Sequence, residues 1–162
     1  MQPEDIKAKL KENRLKVTPQ RMAVLEAVVV LNDHPTADEV CQYIRRNHPN
    51  IATGTVYKTL DTLVEKRIIR RVKTDRDIMR YDAVTAGHHH LYCAVSERIE
   101  DYYDDDLNNL LEDYFNSRHI KGFDIEEIRL QIIGRFPECD PKKHEKNNQK
   151  IKKIWHRKEE KS

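Results

Sequence analysis

The chain has 162 residues with 30 basic and 28 acidic side chains, and that length allows one ordinary domain or two small ones with modest cores. Its three cysteines, Cys41, Cys93 and Cys139, are odd in number and far apart, which fits a reducing compartment better than a disulfide framework. No apolar run is long enough to cross a bilayer, and Met1-Gln2-Pro3-Glu4-Asp5 lacks the basic-then-apolar order of a signal peptide, so a cytoplasmic protein with no membrane partner is expected. The charge is unevenly spread: net +4 over residues 1–82, −8 over 83–140 and +6 over 141–162. A basic front, helped by a basic tail, is the part suited to phosphates, although solvated helix faces carry such charges too.

In chain order, Thr18 before Pro19 is a helix start, because the hydroxyl caps free amides and proline sits where no amide hydrogen is needed. Val24, Leu25, Val28 and Leu31 then share a face. Thr36-Ala37-Asp38-Glu39 is a capping box, followed by Val40, Tyr43 and Ile44 at helical spacing. His48-Pro49-Asn50 breaks the pattern, and Thr53-Gly54-Thr55 opens a third helix with Val56, Leu60, Leu63 and Val64 on one side. Residues 68–72 and 78–81, separated by a polar Lys73-Thr74-Asp75-Arg76-Asp77, read as a hairpin. Three helices and a hairpin are the order of a winged helix-turn-helix, in which the third helix enters the major groove.

The corresponding DNA-binding candidates are Arg14, Gln20, Thr53, Thr55, Tyr57, Lys58 and Arg76, with Arg70, Arg71 and Lys73 as further phosphate contacts on the wing. Periodicity alone leaves open a plain three-helix core with basic edges. After Thr85-Ala86-Gly87 the pattern changes to short strands at 88–94 and 97–99, a helix at 107–115 and a strand at 123–133. So small an α+β unit buries little by itself, and pairing with a second copy is a common remedy. The expected fold is α+β: a winged-helix domain over 1–83, a hinge at 84–87, a small dimerisation and metal-binding domain over 88–140, and a basic tail over 141–162. A twofold reader of this kind suits a palindromic operator in double-stranded DNA.

On a strand, His88 and His90 of His88-His89-His90 share a face while His89 points away, so two imidazoles can meet one metal ion. Asp82, Asp101 and His34 are candidates to join them at the domain junction. Nitrogen and oxygen donors without thiolate suit Fe(II), Mn(II) or Zn(II). The same histidines and Asp101 also admit a small metal-dependent hydrolase, and a DNA-binding protein with a decayed metal site is a third reading.

Val17-Thr18-Pro19-Gln20-Arg21, His34-Pro35-Thr36-Ala37-Asp38-Glu39, Thr55-Val56-Tyr57, Arg80-Tyr81-Asp82 and His88-His89-His90 with Cys93 occur in the order and spacing of the ferric uptake regulator family, which the chain resembles over roughly residues 5 to 140. The resemblance implies a dimeric, metal-dependent repressor rather than an enzyme, with His34, Asp82, His88, His90 and Asp101 as regulatory ligands. In iron-uptake members the positions of Asp82 and Asp101 are typically glutamate, whereas aspartate at both resembles the peroxide-responsive branch. There Fe(II) directs peroxide onto a ligand histidine, at His34 or His88 here, and the repressor leaves DNA; Mn(II) supports repression without that reaction. A regulator of iron, manganese or zinc uptake is the alternative.

The departures from the family pattern concern zinc. Most members hold a structural zinc with two CxxC pairs, but here these read Cys93-Ala94-Val95-Ser96 and Phe136-Pro137-Glu138-Cys139. Cys93 and Cys139 remain as remnants, no four-cysteine site is expected, and packing by Phe136 is the favoured substitute. Gly87, Asn108 and Ile128 replace the residues of an auxiliary metal site, which makes His89 a solvent-facing remnant on this reading.

Overall fold

A computed structural model describes residues 2–74, 78–84, 87–118 and 120–139. Arg76, the middle of the hinge and the tail over 141–162 lie outside them. The chain separates into two units, Met1–Gly87 and His88–Ser162.

The first unit opens with a helix that the sequence reading did not include, α1 (Pro3–Glu12). Its start is conventional in hindsight: Pro3 stands at the first turn, and the Gln2 amide donates to Asp5 Oδ2 at 2.8 Å. Ile6 and Leu10, one turn apart, are both buried. Helix α2 (Pro19–Leu31) starts as expected, with the Arg21 amide donating to Thr18 Oγ1 at 3.3 Å, and buries Ala23, Val24, Leu25, Ala27 and Val28.

Helix α3 (Ala37–Asn47) carries the capping box: the Glu39 amide donates to Thr36 Oγ1 at 3.2 Å, and the Thr36 amide to Glu39 Oε2 at 2.7 Å. Thr36→Ala is expected to lower stability by about 1 kcal/mol, read as a lower urea midpoint at unchanged slope. Helix α4 (Thr53–Glu65) buries Val56, Thr59, Leu60 and Leu63 against α2 and α3.

Ile68 and Ile69 do not belong to the wing, contrary to the sequence reading; both are fully buried in the helical core. The hairpin starts only after them, with β1 (Arg70–Lys73) antiparallel to β2 (Met79–Asp82) and Arg70 opposite Asp82. The physical reason is that adjacent apolar residues here finish the core instead of alternating across a ribbon.

In the second unit, β3 (His89–Cys93) lies centrally in a sheet of order β4-β3-β5. It pairs antiparallel with β4 (Arg98–Tyr102) and parallel with β5 (Gln131–Gly134). The strand expected over 123–133 is therefore shorter, because only the residues opposite 90–93 of β3 find a ladder. Helix α5 (Asp105–Asn116) connects β4 to β5, is capped by Asp104 Oδ1 accepting from the Leu107 amide at 2.9 Å, and buries none of its residues. A 3-10 turn, Pro137–Cys139, follows β5. No helix among the described residues is long and apolar enough to cross a membrane.

Candidate metal centre

Strand geometry brings the second unit's ligand candidates together. The Nε2 atoms of His88 and His90 lie 3.0 Å apart, with the rings nearly perpendicular. Asp101 stands opposite His90 in the ladder and places Oδ1 3.3 Å from His88 Nε2 and 3.8 Å from His90 Nε2. The Tyr103 hydroxyl donates to Asp101 Oδ2 at 3.3 Å, which orients the carboxylate. Both histidines are buried. Two nitrogens each about 2.1 Å from a cation and at a right angle around it sit roughly 3 Å apart, so the spacing matches adjacent ligands of one ion.

The first unit contributes a second group. His34 and Asp82, 48 residues apart, are each only 4 % exposed and offer ligand atoms within 4.8 Å of one another. They meet because the segment before α3 lies beside β2: Thr36 forms an isolated bridge with Arg80, and the Tyr81 amide donates to the Pro35 carbonyl at 2.9 Å. His34 itself has φ +50°, a left-handed conformation that costs a non-glycine residue roughly 1–2 kcal/mol. Arg80 Nη1 holds it by donating to the His34 carbonyl at 3.1 Å. Asp82 Oδ1 accepts from the Val84 amide at 2.6 Å.

Two supporting residues escaped the sequence reading. Arg80 and Asp82 share a face of β2, a signal that strand alternation offers. Lys9 on α1 donates from Nζ to the Ala83 carbonyl at 3.1 Å; burial pushes its ammonium pKa down, while the charge of Asp82 works against that shift.

His89 is not a solvent-facing remnant. It is 1 % exposed, and its Nδ1 accepts from the Leu130 amide at 3.2 Å. Alternation turns it away from His88 and His90, but the side to which it points is buried as well, with Cys93 on that side fully buried. On the same side as His89, Cys93 Sγ lies 3.6 Å from Cys139 Sγ, while the Arg98 guanidinium stacks 4.4 Å from the centre of the Phe136 ring.

The DNA-binding candidates Arg14, Gln20, Thr53, Tyr57 and Lys58 are exposed, and Thr55 is half-buried. Helix α4 has no side-chain cap at Ala52; the Thr55 and Val56 amides donate to the Ala52 carbonyl at 2.9 and 3.3 Å, so the start of the helix is closed by backbone alone. The Tyr57 hydroxyl donates to Asp38 Oδ1 at 2.9 Å, which fixes the ring on the helix surface and raises the phenol pKa. Arg71 pairs with Asp61 at 2.5 Å and so shares its charge with α4.

A helix-turn-helix with a hairpin wing, followed in the chain by a small sheet bearing buried histidines beside an aspartate, defines a metal-responsive DNA-binding protein of the winged-helix class. Residues 12–133 match the model of the ferric uptake regulator family, and the chain belongs to that family. It is similar to the peroxide-responsive repressor of Staphylococcus saprophyticus, 29% identical over 141 residues that cover 87% of this chain and 93% of the relative. The peroxide operon regulator of Bacillus subtilis is 32% identical over 135 residues, covering 83% and 91%. The fold is similar to that of the manganese-bound ferric uptake regulator of Pseudomonas aeruginosa, with a TM-score of 0.69 at 20% identity over 81% of this chain and 97% of that one. Family members are dimeric DNA-binding transcription regulators rather than enzymes, so a hydrolase built on His88, His90 and Asp101 is set aside.

Proposed function

We propose that the chain is a cytoplasmic, metal-dependent repressor that senses hydrogen peroxide by iron-catalysed oxidation of its own histidine ligands. The observation that carries this reading is the cluster of buried His88 and His90 with the partly buried Asp101, with aspartate where a longer carboxylate would serve iron uptake. Similarity to two peroxide regulators supports it.

In this reading His34 and Asp82 of the first unit join His88, His90 and Asp101 of the second as ligands of one regulatory ion, Fe(II) or Mn(II), with Zn(II) also compatible with the donors. An ion held by residues of both units favours the arrangements that satisfy both, and so biases the DNA-reading units through residues 84–87. Bound Fe(II) supplies the reducing chemistry that makes peroxide an oxidant at its ligands. The chain's own part is to hold imidazole nitrogens at that point, to orient Asp101 through Tyr103, and to fix His34 through Arg80. Oxidation of His34 or His88 removes a donor, and the DNA-competent arrangement loses its support.

Residues 1–83 form the reading head, with α4 in the major groove of a palindromic operator, Thr53, Thr55, Tyr57 and Lys58 at its start, and Arg14, Gln20 and Arg76 on phosphates. Residues 88–140 form the homodimer. The support is an unburied α5 together with Leu110, Tyr114, Phe123 and Ile133, all about half exposed or more, which a second copy would cover. With only Cys93 and Cys139 at the zinc-pair positions, the dimer holds without a four-cysteine structural zinc, and the basic tail adds nonspecific attraction to DNA.

The test is intact and peptide mass spectrometry of protein confirmed to hold Fe(II) anaerobically, before and after one equivalent of peroxide, against a Mn(II)-loaded control. One added oxygen on His34 or His88 with iron alone is expected. No oxidation despite confirmed iron would assign the chain to regulation of iron, manganese or zinc uptake instead.

A further inference from the structure

Cys93 and Cys139 are a pair of side chains that the metal reading leaves unused. Their Sγ atoms lie 3.6 Å apart, in van der Waals contact. Cys93 ends the central strand β3, and Cys139 ends the turn after β5. By strand alternation Cys93 lies on the opposite face of β3 from His88 and His90, so the thiols and the candidate metal ligands are separate groups. Cys93 is fully buried, whereas Cys139 is partly exposed.

We propose that hydrogen peroxide converts Cys93 and Cys139 into an intramolecular disulfide, giving the second unit an oxidant-responsive site of its own. The half-buried thiol meets the oxidant first: Cys139 Sγ takes one oxygen from peroxide to become a sulfenic acid, and water leaves. The Cys93 thiolate then attacks that sulfur, the S–S bond forms, and hydroxide departs to be protonated as the second water. Two thiols supply the two electrons, one peroxide accepts them, and two waters result.

The surroundings of Cys93 suit the resolving role. Burial by itself pushes its thiol up, but hydrogen bonds from the Ser96 hydroxyl and from the backbone amides of Ser96, Phe136 and Val95 outweigh it and bring the pKa down to about 6. These bonds favour the thiolate, and its sulfur already touches its target. A bonded pair is about 2.05 Å apart, so closure needs roughly 1.5 Å of movement. Cys41 is the internal contrast: it lies in the first unit, its thiol is pushed up mainly by burial and then by Asp38, and no other cysteine belongs to that unit.

The bond would close a loop containing β4, α5 and β5, tying the end of β5's turn to β3 and restricting the unfolded chain. Nothing in this step involves iron, so it stands or falls apart from histidine oxidation.

The experiment uses the full chain, fully reduced and loaded with Mn(II), so that iron-dependent histidine oxidation does not arise. After peroxide, free thiols are alkylated and the protein is digested without reductant. The expected result is a loss of two hydrogens, a peptide linking Cys93 to Cys139, an alkylated Cys41, reversal by dithiothreitol, and an unfolding temperature raised by several degrees. In Cys93→Ser a sulfenic acid on Cys139 should persist and react with dimedone, and in Cys139→Ser the temperature rise should vanish. Sulfinic acid on Cys139 with Cys93 still alkylatable would overturn the proposal. So would a link between two copies, or both thiols protected by a zinc ion found on elemental analysis.

Discussion

Replacing His90 with alanine is expected to weaken Mn(II) binding by at least about 100-fold, because loss of a donor should exceed the 10- to 100-fold effects typical of residues that only support donors. His90 sits in the middle of the arrangement: its Nε2 is 3.0 Å from His88 Nε2, and its ladder partner is Asp101. Removing the imidazole therefore leaves His88 and Asp101 without their shared neighbour while the backbone pairing of β3 remains. A 100-fold loss corresponds to about 2.7 kcal/mol of binding free energy. Free Mn(II) followed by electron paramagnetic resonance gives the affinity, and thermal unfolding of the metal-free protein shows that the fold survives. Binding to duplex DNA selected on the Mn(II)-loaded protein, at one salt concentration, should lose its metal dependence in parallel. If the variant binds Mn(II) as tightly as the parent, His90 is not a ligand and the proposed centre is wrong. Metal-free parent protein that binds the same DNA as tightly as the loaded form would make the site irrelevant to repression.

Local chemistry was the most legible part of the chain. The capping box at Thr36 and the cap at Thr18 are hydrogen bonds within four residues, and both formed as their side chains require. Helix α1 was missed although Gln2, Pro3 and Asp5 gave a start signal, because only Ile6 and Leu10 mark an apolar face in an otherwise charged stretch. Residues 123–133 read as one long strand, but a strand needs a neighbour, and β3 provides a parallel edge for only four residues. Long-range pairing is not encoded in such a window.

The site shows the same division. That His88 and His90 face one way followed from a period of two. That Asp101 joins them depends on the register of β4 against β3, and that His34 meets Asp82 depends on the bridge from Thr36 to Arg80. Neither register is visible locally; position along the chain made those residues candidates, the family resemblance implied them as ligands, and geometry within each unit brings each group together. The left-handed His34 adds a physical point that resemblance did not contain. A non-glycine residue in that conformation persists where surrounding bonds over-determine it, and here the guanidinium of Arg80 and the Tyr81 amide perform that role.

Leu60→Ala is expected to have the largest effect on stability. Leu60 is fully buried on α4, among Leu25, Val28, Ile44 and Ile68 of the same core, and its removal leaves a cavity that rigid helices close only in part. Such truncations cost about 2–5 kcal/mol, a large share of the roughly 5–15 kcal/mol that holds a domain together. Urea unfolding should show a much lower midpoint with little change in slope. On the exposed side of the same helix, Lys58→Ala should move the midpoint by no more than about 0.5 kcal/mol, yet weaken DNA binding and lower the salt slope by about one. The two substitutions separate what α4 does for the core from what it offers to DNA. An unchanged midpoint in Leu60→Ala would mean that this face of α4 does not carry the packing described, and equal affinity and salt slope for Lys58→Ala and the parent would remove Lys58 from the DNA contacts.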